Sequence, residues 1–331
     1  MSRFGFFTSL IVVLLCLVSS PALAQLDSLF CLFVGTGEEQ GGEVAMMTYL
    51  EDMGFLIDYF SGDEVVGADA MNYDLVFVHE SLMSSSVGDK FKEEATPLIS
   101  TEFYISDDMG LSGMTQDTDF GQLGDGAATS IFIQEPDHPL AAGLEGEVQV
   151  YENPGNMGFA IVGGGGVSVA TTLDDDYQSV IYGFDAGVED FNGEIVPGRR
   201  VFFFTFNGEE ENMTPEAWLL FDAAVYWALG LEMPASVAEK HAEPSTFHLS
   251  QNYPNPFNPT THISYELDQH THVQLTVHNL RGEQIAVLIN GQRPAGSHTV
   301  AFDASELSSG IYIYKLRTDS GFDAKKMIVT K

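Results

Sequence analysis

Basic residues, cysteines and long apolar runs are all scarce in this sequence. There are 13 Lys and Arg against 48 Asp and Glu, a net charge of −35. Such a field repels phosphate backbones and anionic lipid, so nucleic acid is excluded as a partner and a well-hydrated surface is favoured. Only two cysteines occur, Cys16 and Cys31. A disulfide framework is therefore ruled out, and apolar cores must hold the chain together. Cys31 lies in "LFCLFVG" with no histidine or basic residue near it in sequence, which fits a packed thiol rather than a nucleophile. The apolar run from Leu10 to Val18 falls short of the roughly 20 residues a membrane-spanning helix needs.

What is present begins with residues 1–24. Arg3 supplies a short basic head, Leu10 to Val18 an apolar stretch, and Ala22-Leu23-Ala24 a small-residue cleavage pattern. Together these read as a secretory signal peptide that hands the chain to the Sec machinery, with the mature protein starting near Gln25. Charge then divides the rest unevenly. Residues 25–244 hold 41 acidic and 5 basic side chains, whereas 245–331 hold 7 of each. The acidic part reads as a solvated surface. Calcium is the sharper alternative, at Asp174, Asp175 and Asp176 or over Asp117 to Asp125, but neither stretch has the spacing of a calcium loop. No cofactor is expected.

Across 25–230, strand-like and helix-like segments alternate. "LFCLFVG" suits a strand covered on both faces, and Val44, Met47, Leu50 and Met53 recur at three-residue steps in a helix stopped by Gly54. "FLIDYF", "YDLVFVHES" and "TPLISTE" read as further strands, with a short helix over 86–95 before the last of them. This order predicts a parallel, doubly wound, flavodoxin-like α/β sheet whose site lies at the carboxyl ends of the strands. "EVQVYE", "VSVATTL", "SVIYGFD" and "RRVFFFTF" add strands, and "TPEAWLLFDAAVYWALG" a closing helix with Thr214 as cap, Pro215 in the first turn and Gly230 at the exit. The run Gly163 to Gly166 lacks the Lys-Ser/Thr of a phosphate loop and reads as a flexible turn.

Residues 231–249 lose periodicity and read as a linker. Beyond them, short alternating runs such as "HISYEL", with Ile263, Tyr265 and Leu267 on one face, argue for an immunoglobulin-like antiparallel sandwich over 250–331. Before it stands "SQNYPNPFNPTT" (250–261). Its prolines fix φ and withhold backbone donors, so it is expected to stay out of the sheets as a stiff collar separating sandwich from cargo.

Two resemblances follow from these residues. "YDLVFVHES", "TPLISTE", "DHPLAAGL" and the segment from Arg199 to Gly230 resemble the class I glutamine-amidotransferase-like superfold, in the branch that includes trehalose-utilisation (ThuA-like) domains. That family places a nucleophilic cysteine five residues after the proline of the fourth strand, in a Gly-x-Cys-x-Gly elbow. Here Pro97 leads to Glu102 and neither glycine is present, so the nucleophile does not carry over. Glu102, His79 and Glu80 nonetheless fall at adjacent strand ends, as candidates for acid/base work or as hydrogen-bonded loop residues. The cargo is expected to be a non-catalytic binding or structural module, with carbohydrate as the ligand class the branch implies. A hydrolase or isomerase using Glu102, His79 and Glu80 is the alternative.

The C-terminal region resembles the type A sorting domain of the type IX (Por) secretion system, whose fold is related to flagellar hook-capping immunoglobulin-like domains. The residues that carry the likeness are Asn252, Tyr253, Pro254, Asn255, Pro256, Phe257, Asn258 and Pro259 in the collar, Gly310 and Tyr312 in "GIYIYKL", and Lys325 and Lys326 in "KKMIVTK". The resemblance implies passage through periplasm and outer membrane, partnership with the type IX translocon and its sortase-like peptidase, and a final location at the cell surface or in the medium.

Overall fold

The computed structural model describes residues 26, 28–37, 41–124, 128–242, 247–279, 284–318 and 321–331. The signal peptide expected over 1–24 lies outside the described residues. The first strand, β1 (Phe30–Gly35), is buried from Cys31 onward, as an unbroken apolar run requires. Helix α1 (Gly41–Met53) follows, and then β2 (Leu56–Ser61), β3 (Leu75–Val78) and β4 (Leu98–Ser100). Met46, Tyr49, Leu50 and Met53 form the buried stripe of α1, while Met47 of the expected set is only half-buried. Seven more strands complete this domain: β5 (Phe120–Gln122), β6 (Ser130–Ile133), β7 (Gly146–Gln149), β8 (Gly158–Ala160), β9 (Val167–Thr171), β10 (Ser179–Phe184) and β11 (Arg200–Phe203).

All of them join one sheet. The path β2-β1-β3-β4-β11 is parallel, whereas β11-β10-β9-β6-β7 is antiparallel, with β8 paired to β10 and β5 to β8. The order β2-β1-β3-β4 keeps the doubly wound plan, but the expectation of a wholly parallel sheet is corrected for its second half. Residues 172–178, which join β9 to β10, are too few for the crossover that parallel neighbours demand.

A second correction concerns residues 86–95, which form successive turns instead of a helix. Gly88 takes a left-handed φ of +51°, which interrupts a helix in its first turn, and the amides of Lys90, Lys92 and Glu94 close short turns on the carbonyls of Val87, Asp89 and Phe91. Arg200, the first residue of β11 and 1% exposed, then fixes the end of the segment, its guanidinium donating to the carbonyls of Phe91, Lys92, Glu94, Thr96 and Arg199. Burial lowers its pKa to about 10.

The sheet carries an apolar core on each face. On one, α1 packs beside α2 (Pro215–Ala228), whose cap Thr214 accepts from the Ala217 amide at 3.2 Å as expected. Phe221 meets Phe77, Phe203 and Tyr49 edge-on at 5.9, 5.3 and 5.8 Å, and Tyr49 also stacks on Trp218 and donates to Asp222 at 2.8 Å. Truncating Phe221 to alanine removes that hub, at a cost of about 3–5 kcal/mol. The glycine run at 163–166 is a close-packed turn, not a free one. Gly164, at φ +62°, lies so near the carbonyls of Glu189 and Asp190 that a Cβ there would stand 2.3–2.5 Å from them.

The expected linker over 231–249 contains a helix, α3 (Ala235–Ala242), and a strand, β12 (Phe247–Leu249). Each element has few anchors, such as Val237 in the first domain's core and Leu249 in the next, so no periodicity spans the segment. Strands β13 (Thr260–Leu267), β14 (Thr271–His278), β15 (Gln284–Arg293), β16 (Gly296–Asp303), β17 (Gly310–Thr318) and β18 (Gly321–Val329) then build an antiparallel sandwich. Its sheets run β12-β13-β16 and β15-β14-β17-β18. Ile263, Tyr265 and Leu267 face inward as their spacing predicts, within a core that shares no residue with the other two.

The collar departs from its expected role as a spacer. Phe257 is buried in the sandwich core, donates to the Ile328 carbonyl and accepts from Thr330 N–H, both at 2.9 Å. Tyr253 exchanges backbone bonds with His262 at 3.0 Å. Asn252, 2% exposed, donates its amide to the Tyr314 hydroxyl and gives its side chain to Pro254 O and Thr261 Oγ1. Asn255 Oδ1 accepts the Ile328 amide, and Gln251 reaches the Lys326 carbonyl. The prolines silence only their own nitrogens. The residues between them retain donors and clip the collar onto both ends of the fold.

Candidate functional site

The carboxyl ends of β1, β3, β4 and β11 meet where the chain reverses its direction of winding, between β1 and β3. A doubly wound sheet opens its site there. His79 follows β3 and is fully buried. Its Nδ1 accepts the Ser81 amide at 3.1 Å, so its proton sits on Nε2 and is donated to Glu210 Oε1 at 3.0 Å. The other Glu210 oxygen accepts the Gly208 amide at 2.8 Å. Both faces of this imidazole–carboxylate pair are thereby committed.

Next to it lies Glu43, in the first turn of α1, where the helix dipole favours a negative charge. Fully buried, its carboxylate accepts from Thr36 N and Ser81 Oγ at one oxygen, and from Tyr59 Oη and Thr36 Oγ1 at the other. The approach depends on two glycines. A Cβ on Gly35 would sit 2.4 Å from Glu43 Oε1, and one on Gly42 would sit 2.7 Å from Glu210 Oε2.

The remaining candidates complete the cluster. Glu80 accepts the Asn207 amide at 2.9 Å, and its own amide donates to Thr101 Oγ1. Burial pushes its carboxyl up to about 7; the Asn207 bond and His79 act against that rise and Glu210 adds to it. Glu102 is 2% exposed and accepts the Tyr104 amide at 2.8 Å, capping the turn at Phe103–Ile105. Burial raises it to about 8, opposed by the Tyr104 bond and reinforced by the charge of Glu80. Glu102, His79 and Glu80 are thus brought to one end of the sheet, and Glu43, Tyr59, Ser81, Asn207 and Glu210 join them. The sequence signals for these five are slight: a Gly-Gly-Glu at a strand-to-helix turn and an Asn-Gly-Glu after the last strand.

Two cavities, of about 390 and 420 Å³, lie elsewhere, one against Lys92, Asp190 and Arg200 and the other against Arg199 and Trp227. At the turn after β9, Asp175 accepts the Tyr177 amide and Asp176 the Gln134 side chain, while Asp174 is exposed. Among the described residues no group of three or more His, Cys, Asp or Glu is arranged to hold a metal ion. Of the sorting-motif residues, Gly310 opens β17, Tyr312 donates to the Ser308 carbonyl, and Lys325 and Lys326 lie on β18 opposite Tyr314 and Ile313.

Residues 251–330 match the family described as the secretion system C-terminal sorting domain, and the protein is exported by the type IX secretion system to the cell surface or medium. No curated protein matches the sequence. Among solved structures, the chain is similar to a GMP synthase component from Thermoplasma acidophilum, with 14% identity over 65% of this chain and 98% of that one and a TM-score of 0.39. It is also similar to PurLQS from Thermotoga maritima, with 15% identity over 61% and 98% and a TM-score of 0.36. A glutamine amidotransferase from the same organism gives 10% identity over 65% and 86%, with a TM-score of 0.33.

Proposed function

We propose that the sorting domain, of immunoglobulin-like type, delivers an amidotransferase-like α/β module that acts by binding or as a structural element rather than by catalysis. The signal peptide over 1–24 hands the chain to the Sec machinery, and the translocon and its sortase-like peptidase read the collar and the residues around Gly310, Tyr312, Lys325 and Lys326. The observation that supports a non-catalytic cargo is the state of the strand-end cluster. Glu102 occupies the position five residues after Pro97 and serves as a cap, while His79 has both ring nitrogens engaged in buried bonds. Carbohydrate is the ligand class we assign to the module, by its resemblance to the trehalose-utilisation branch.

One observation favours the second reading, a hydrolase or isomerase. Glu80 and Glu102, held up to about 7 and 8, are carboxyls that titrate near neutrality at the end of a sheet, as a general acid and base would. The purified full chain, offered glutamine, simple amides and glycosides beside the Glu102→Gln and His79→Gln variants, separates the readings. Binding to a glycan panel without turnover is expected. Turnover abolished by either substitution establishes the enzyme instead.

A further inference from the structure

Helix α1 ends in a way that an isolated domain would not favour. Its last turn carries Glu51 and Asp52 and no basic residue, so two carboxylates sit at the negative end of the helix dipole. They belong to a domain with 38 acidic and 4 basic side chains over residues 25–230, where self-repulsion is already large. The missing cations come from β17 of the sorting domain. Lys315 Nζ lies 3.1 Å from one Asp52 oxygen and Arg317 Nη1 lies 2.7 Å from the other, and the Asp52 side chain is only 13% exposed.

Lys315 and Arg317 stand on the face of the β15-β14-β17-β18 sheet that points away from the sandwich core, since Tyr314 and Leu316, which alternate with them, point into it. Register puts Thr276 beside Lys315 and His278 beside Ile313 on that same outward face. Thr276 and Ile313 are 5% and 6% exposed, values of an interior and not of a free sheet surface.

We propose that this outer sheet face is a docking surface for the acidic end of α1 in the same chain, with Asp52 clasped between Lys315 and Arg317, so that cargo and sorting domain are carried as one latched body. The occupant is the cargo because it supplies what the face lacks and lacks what the face supplies. While the latch is closed this face is covered, and the collar side remains open to the export machinery, with Tyr253 81% exposed.

Small-angle scattering of the full chain in 50 mM salt tests this, using wild type, D52R, K315E/R317E and the charge-swapped D52R/K315E/R317E. Wild type should scatter as one compact body, near the ~20 Å radius of gyration expected for this length. D52R and K315E/R317E should each open the pair, raising the radius by several ångström, and the swapped triple variant should regain the compact value. Wild type in 0.5 M salt should open less than either variant, because salt screens the half-exposed Arg317 but acts weakly on the mostly buried Lys315–Asp52 pair. The two single-sided variants alter different domains, so loss of folding in one leaves the other to decide, with circular dichroism as the check. Scattering of D52R or K315E/R317E that superimposes on wild type, or a swapped variant as expanded as its parents, overturns the latch.

Discussion

Replacing Glu102 by glutamine isolates one buried proton. In the folded protein burial holds this carboxyl up to about 8, against an ordinary value of 4.5, so between those limits the folded state keeps a proton that the unfolded state releases. Stability drawn from that proton is complete below about pH 4.5 and is lost as pH climbs through about 8. Each pH unit inside the window is worth ~1.4 kcal/mol, so between pH 5 and pH 8 the wild type should lose ~3 kcal/mol more than E102Q. Glutamine preserves the acceptor for the Tyr104 amide and nearly the same shape, which leaves titration as the main difference. For a domain of this size, each kcal/mol moves the midpoint by about 2–4 °C, which makes the expected divergence about 6–12 °C. Calorimetry of both proteins at pH 5, 6, 7 and 8 and constant ionic strength reads it directly. Parallel melting curves across that range would refute the assignment of a buried, protonated acid at the end of β4.

Cys31 is fully buried and its thiol is held well above the ordinary value by burial, so it should ignore thiol reagents in the native state and react fully on denaturation; labelling within minutes in native buffer contradicts this. Arg200→Met should cost at least ~3 kcal/mol in urea unfolding, because several buried carbonyls lose a charged donor, and should open residues 91–96 to proteolysis; a loss below about 1 kcal/mol would show that water replaces the guanidinium. Sodium chloride should raise the melting temperature by screening the acidic domain, and calcium at matched ionic strength should add nothing. A saturable rise with calcium alone would restore a site at Asp174, Asp175 and Asp176.

Those elements whose burial is written into one continuous stretch are legible in the sequence. "LFCLFVG" is a strand because every residue from Cys31 on must be covered, and the Thr214-Pro215 start with Gly230 at the exit frames α2 whatever lies around it. In the sandwich, strict alternation through Ile263, Tyr265 and Leu267 declares both faces. What cannot be read depends on partners distant in sequence. Residues 86–95 have the composition of a helix, but Gly88 adopts a left-handed φ that breaks it, and the turns that follow end on Arg200, more than a hundred positions away. Strands β5 and β8 are three residues each and exist through pairing alone. The site divides in the same way: position at strand ends flags His79, Glu80 and Glu102, while Glu43 and Glu210 become part of it only once Gly35 and Gly42 allow two chain segments to touch. The collar's pairing is hidden because three prolines draw attention away from the amides of Tyr253 and Phe257.

The clipping of that collar by the last strand has a further consequence. Gln251, Asn255 and Phe257 are bonded to Lys326, Ile328 and Thr330, so the first and final segments of the sorting domain close on each other. The collar therefore cannot close until β18 has been made and paired, so this sandwich forms as one cooperative unit and not strand by strand in the order of the chain.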